Sequence, residues 1–166
     1  DQTRSNWFHT KNKRWIYLII IACDRNPCTF DLNIVKSLIS LNQIDINLPK
    51  DKYGNNIFHL ACKYNLINLL NYLLTIDQLD LKARNDNNDN ALHIACRNNH
   101  IEIIKILLSL HIYNINDKNN QGKSLFDFIK AFDKQSLAEL EEYLHDENNN
   151  NNNEEEMIPE IEIDNF

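Results

Sequence analysis

Glycine is almost missing from this chain: Gly54 and Gly122 are the only 2 among 166 residues. A loop that cradles phosphate brings several glycines together so that backbone N–H groups can reach the anion, and two such distant glycines cannot build one. Lysine and arginine are missing after Lys134. Residues 1–134 carry 17 bases and 13 acids, for +4, whereas 135–166 carry 11 acids and no Lys or Arg, so the net charge of −7 is a property of the C-terminal end. Without a strong basic stripe there is nothing to release counterions from a nucleic acid, and no such partner is expected. Long apolar runs are missing too. The run at 15–23 stops at nine residues, against about 20 for a membrane-spanning helix. The residues behind it, Asp24, Arg25 and Asn26, make no signal-peptidase site. Asparagine is abundant, with 28 copies, yet none stands in an N-x-S/T acceptor. Many of these asparagines fall in expected loops, and composition alone assigns them no function.

What the chain does contain is repetition. The segment DKYGNNIFHLACKYN at 51–65 returns as NDNNDNALHIACRNN at 85–99, so His59, Ala61 and Cys62 reappear 34 residues later as His93, Ala95 and Cys96. The same offset leads to a third copy at 119–130, with Gly122 for Gly54, Ser124 for Asn56 and Asp127 for His59. Going backward, residues 21–26 match 60–65 and, after a short insertion, 34–47 match 69–82. A repeat of this period means one supersecondary unit stacked on copies of itself, since a single unit cannot bury its own apolar face. Within the units, Leu69, Leu70, Leu73 and Leu74, then Ile103, Ile104, Leu107 and Leu108, recur at i, i+1, i+4, i+5, which is one face of a helix. Phe58 and Ala61, like Leu92 and Ala95, lie three apart. Each unit is thus predicted to hold two short helices, separated from the next by Asn, Asp and Gly-rich turns.

These residues resemble the ankyrin repeat. Asp51, Gly54, Phe58, His59, Ala61, Leu70, Leu73 and Leu74 meet its pattern in one unit, and Leu92, His93, Ala95, His100, Ile104, Leu107 and Leu108 in the next, with Ile115 and Asn116 closing the loop. Departures are present. The Thr-Pro that opens the family's first helix is Asn56-Ile57, Asn90-Ala91 and Ser124-Leu125, and the glycine between helices is Asn65, Asn99 and Asp133. Asn and Ser are good N-caps, and Asn and Asp tolerate a left-handed backbone best among the other residues. The first unit departs further, with Trp15 in place of the turn glycine and Ile20 in place of the histidine.

The resemblance implies an all-α fold: an ankyrin-type α-solenoid of stacked helix-turn-helix units with projecting loops. The expected organisation is an extension at 1–14, four units at 15–50, 51–84, 85–118 and 119–146, and a disordered Asn/Glu-rich tail at 147–166. A last helix at 136–144 closes the stack, with Leu137, Leu140 and Leu144 inward and Glu139, Glu141 and Glu142 outward. The first helix, within 15–23, is apolar all round. Trp7 and Phe8, sequence upstream, or a partner is expected to cover it.

By the same resemblance, loop and first-helix positions line a concave face that binds another protein: Lys52, Tyr53, Asn55, Lys63, Tyr64, Asp86, Asn87, Asp89, Arg97, Asn98, Asn120, Gln121 and Lys123. Tyr53, Tyr64 and Arg97 are the expected anchors, because Tyr and Arg combine area with a directional polar group. The alternative is a regulatory or targeting segment of a larger protein whose catalytic domain lies elsewhere. The alternation of acids with Ile158, Ile161, Ile163 and Phe166 is a further candidate docking motif.

Chemical constellations are weaker. His59 with Cys62, and His93 with Cys96, have zinc-ligand types at i, i+3, but the family pattern gives the histidine to a loop hydrogen bond and the cysteine to the core. No third orienting group accompanies a Cys and His pair. We therefore expect no catalytic residue, no metal and no cofactor, and a chain that is monomeric by itself. Cys23, Cys62 and Cys96 hold one position in successive units, and stacked helices lie about 8–10 Å apart, beyond the about 7 Å between Cα atoms that a disulfide spans. Cys28 sits in the inserted loop. Reduced thiols point to an intracellular, cytoplasmic setting.

Overall fold

A computed structural model describes residues 32–40, 46–48 and 51–150, and all regular structure among them is helical. In chain order the helices are α1 (Leu32–Ser40), α2 (Ile57–Lys63), α3 (Ile67–Leu73), α4 (Ala91–Arg97), α5 (Ile101–Ser109), α6 (Leu125–Ile129) and α7 (Lys134–Asn150). The expectations for the apolar run at 15–23, for Trp7, Phe8, Cys23 and Cys28, and for the motif at 158–166 lie outside the described residues.

The first helices of the second and third units start the same way. Asn56 Oδ1 accepts the N–H of His59 and Asn90 Oδ1 that of His93, both at 3.0 Å. In the last unit the direction reverses, and Asp127 Oδ2 accepts from the N–H (2.8 Å) and hydroxyl (3.1 Å) of Ser124. These bonds occupy N–H groups that the first turn of a helix cannot satisfy internally. Asn65 and Asn99 then take φ of 56° and 54°, which turns the chain back into α3 and α5. Asp133 does not follow them. Its carboxylate instead accepts the N–H groups of Gln135 (3.0 Å) and Ser136 (2.9 Å), so it caps α7 where the offset predicted a left-handed turn.

Packing follows the repeat axis. Helix α2 lies on α4 and α4 on α6, while α5 lies on α7. Small side chains make the first row close: Ala61, Cys62, Ala95 and Cys96 are all buried between the helices. In the second row Leu69, Leu70 and Leu73 of α3 and Ile103, Ile104 and Leu107 of α5 are buried, each contributing about 1.5–3 kcal/mol by leaving water. The core is continuous from Val35 to Leu144.

Backbone carbonyls are also used between units. His100 Nε2 donates to the Lys63 carbonyl at 3.0 Å, closing α2 from the following unit. Tyr113 Oη donates to the Leu81 carbonyl at 2.6 Å. At the last helix Leu140 and Leu144 are buried as predicted, but α7 runs on to Asn150. The expected boundary at 146 falls inside a helix. No proline or glycine lies between residues 134 and 150 to stop it, and extending a formed helix costs far less than nucleating one.

Candidate functional site

Three loops present the candidate face, and each is built by its first side chain. Asp51 Oδ1 accepts the N–H groups of Tyr53 and Asn55, both at 2.8 Å. Asn85 Oδ1 accepts those of Asn87 and Asp89 at 2.9 and 3.0 Å, and Asn119 Oδ1 those of Gln121 and Lys123 at 2.9 and 3.0 Å. The fourth loop residue takes a positive φ: Gly54 at 75°, Asn88 at 59° and Gly122 at 72°. An Asx residue followed by a left-handed position is how short polar loops turn sharply.

The loops are then tied to one another. Asn85 Nδ2 donates to Asn55 Oδ1 at 2.8 Å and Asn119 Nδ2 to Asp89 Oδ1 at 2.7 Å, both buried bonds. Backbone bonds run alongside, from Asp86 N to the Tyr53 carbonyl (3.1 Å) and from Asn120 N to the Asn87 carbonyl (2.9 Å). The amides of Asn85 and Asn119 meet both demands, accepting within their own loop through Oδ1 and donating to the previous one through Nδ2, which a carboxylate could not do. With the bases satisfied, the loop tips Lys52, Tyr53, Asp86, Asn87, Asn120 and Gln121 are left exposed.

Asn55 and Asp89 sit beneath this face, 5% and 0% exposed. Asn55 Nδ2 donates to Asp51 at 2.7 Å, and Asp89 accepts from Arg97 Nη2 at 2.9 and 2.8 Å. Burial of a carboxylate is tolerable only when it is paired in this way. Arg97 is thereby fixed, and its guanidinium carbon lies 5.1 Å from the centroid of the Phe128 ring. Lys63 rests on its neighbour, with Nζ 3.1 Å from the Tyr64 hydroxyl and 4.7 Å from the ring centroid.

Between the second and third units these groups frame a pocket of about 290 Å³, lined by Tyr53, Asn55, Lys63, Asn85, Asn87, Ile94, Arg97 and Asn98. Six of the residues expected on the face meet there. Lys52, Asp86, Asn120, Gln121 and Lys123 are exposed elsewhere on the loop side, and Tyr64 supports Lys63. Asn85 and Ile94 line the pocket without having been singled out. Counting 34 residues from Asp51 would have marked Asn85, as counting from Gly54 would have marked the turn at Asn88.

The buried histidines and thiols are parts of the frame. Nδ1 of His59 and of His93 lies 2.7 and 2.6 Å from the Oδ1 of its capping asparagine, and His93 Nε2 donates to the Asp117 carbonyl at 3.0 Å. Burial lowers the pKa of both rings, a shift that the carbonyls of Asp89 and Ala83 at His59, and of Asp117 at His93, partly offset. Burial pushes both thiols up, Cys62 and Cys96 alike, so neither offers a thiolate to a metal or an electrophile. Among the described residues no group of three or more His, Cys, Asp or Glu converges on a metal-sized site.

Among the described residues no helix is long and apolar enough to cross a membrane. Comparison with curated proteins gives no match. Comparison with protein families matches "Ankyrin repeats (3 copies)" over residues 18–121 and again over 76–152, which is most of the chain and includes every helix described above. Ankyrin repeats generally serve as protein–protein interaction modules and are typically not catalytic. On this match, on the stacked helical pairs and on the tied loops, the chain belongs to the ankyrin-repeat family.

Proposed function

We propose that this chain binds a partner protein through the loop tips and first helices of its second to fourth units, with Tyr53, Tyr64 and Arg97 as anchors. One observation carries the reading: the polar groups at the loop bases are spent on one another, so the side chains above them are held out on a preformed surface. Binding to such a surface loses little entropy in ordering the loops. Tyr53, 47% exposed, is one of the large apolar side chains that folding leaves in water, and water-exposed aromatic area beside a fixed arginine is the usual composition of a binding hot spot.

The experiment is a triple substitution, Tyr53→Ala with Tyr64→Ala and Arg97→Ala, read by binding to the partner recovered with the intact chain. Affinity should fall at least about a hundredfold, as expected for removing two or three hot-spot residues. Because Arg97→Ala also leaves Asp89 buried without its ion pair, helical circular dichroism is read on the triple variant and on the Tyr53→Ala, Tyr64→Ala double variant, which should keep its helicity and still lose affinity. Retained affinity in a helical variant sinks the assignment.

A further inference from the structure

The pocket between the second and third units brings together charged side chains that neighbouring residues hold in place. Two cations line it, Lys63 and Arg97. Asp89, the carboxylate paired with Arg97 Nη2, is completely buried. Among the described residues nothing else accepts a hydrogen bond from that guanidinium, so Nη1 and Nε stay available while the side chain is held by Asp89 and Phe128. Lys63 uses one of its three N–H bonds on the Tyr64 hydroxyl. Asp89 pairs with Arg97, and among the described residues no carboxylate forms an ion pair with Lys63, so its ammonium is the charge left unmatched at the pocket. Asn87, Asn98 and Tyr53 also line the pocket, together with the buried Ile94.

From this arrangement we infer that the pocket receives one carboxylate, the side chain of an aspartate or glutamate on an extended acidic segment of the partner. The inference rests on the protein-binding reading above and specifies the chemistry of what binds. A monoanion matches the one uncompensated charge. A phosphoryl group, at about −1.5 to −2, would exceed it, and it calls for a cluster of arginines or backbone N–H groups that this pocket lacks. The volume of about 290 Å³ holds a side chain rather than a helix. Prior anchoring of Arg97 by Asp89 places the fork before the ligand arrives, so little rotamer freedom is lost on binding.

The test uses the intact 166-residue chain as bait for a displayed library of random 12-residue peptides, with fluorescence anisotropy on the peptides recovered. The expected result is one Asp or Glu shared at a fixed position, whose change to Gln or Asn weakens binding about tenfold or more, the usual worth of a hydrogen-bonded charge. Lys63→Gln should cost a similar factor, and on that variant the peptide's Glu→Gln change should cost much less. The peptide-side change cannot perturb the fold, so it stands even if a pocket variant is unstable. Peptides that lose binding with Tyr53→Ala and Tyr64→Ala but share no acid, or that ignore Lys63→Gln, overturn the carboxylate pocket and leave the binding face intact. Tighter binding when the acid is replaced by phosphoserine also overturns it, in favour of a phosphate site. Recovery of no peptide, or of peptides indifferent to both tyrosines, counts against the pocket and the face together.

Discussion

At Gly54 the absence of a side chain is what lets the third unit's loop settle on the second's. A Cβ there would lie 2.3 Å from Asp86 Oδ1 and 2.9 Å from the Asp86 backbone nitrogen. That nitrogen donates to the Tyr53 carbonyl, so the clash falls on a bond between units. Gly122 has the same left-handed backbone, at φ 72°, but nothing within 4 Å of its missing Cβ. The two glycines thus separate conformational strain from close approach. Gly122→Ala should cost about 1–2 kcal/mol, the penalty of a left-handed alanine alone. Gly54→Ala should cost about 2–4 kcal/mol, because Asp86 must also move and its inter-unit bond is lost. Urea unfolding of both variants measures the difference, and equal losses would mean that the loop shifts without strain. Asn88 occupies the equivalent place in the middle unit at φ 59°, where an asparagine serves because it is the ordinary residue most at ease in that region.

At the scale of the loop, the units are joined by amides that face two ways. Asn85 donates to Asn55, a neutral acceptor, but Asn119 donates to Asp89, a buried carboxylate already paired with Arg97. Replacing Asn85 by Asp removes a donor and should cost about 1–3 kcal/mol, the price of leaving a buried group unsatisfied. Asn119→Asp aims a second carboxylate at Asp89 and should cost more, about 3–5 kcal/mol, the range seen when a buried ion pair is broken. Chemical denaturation at neutral pH ranks them, and a ranking reversed or flat would show that Asp89 is not the centre of the loop network. The period of 34 residues made the units, their helical pairs and the stacked cysteines legible, because an apolar face repeats wherever its neighbour repeats. It showed equivalence rather than contact. Asn55 and Asp89 read as surface residues since nothing in the sequence says that the next loop lies on top of them. Asp133, offset-matched to two left-handed asparagines, became an N-cap because the helix it precedes starts one residue earlier than the repeat requires. The pocket combined Lys63 and Arg97, residues one repeat apart on adjacent first helices, and only the packing of α2 on α4 makes them neighbours.

Across the whole molecule, stability is handed from unit to unit, since α2 meets α4 and α4 meets α6, while α5 meets α7. In such a quasi-linear fold each unit holds its own stability plus the interfaces to its neighbours, and damage stays near its origin. The last helix is where this shows most directly. Leu140 is fully buried, and α7 covers α5 on one side only. Leu140→Ala removes side-chain burial worth about 2–5 kcal/mol, but the loss belongs to the contact between α7 and α5. Amide hydrogen exchange should therefore rise across 119–150, moderately in α5, and least in α2 and α3, whose buried Leu69, Leu70 and Leu73 lie two units away. Local opening of this kind is what exchange resolves and a single melting curve averages away. A uniform rise over all helices would instead mark one cooperative globule, in which the fourth unit and the second unfold together and the face between them is lost as a whole.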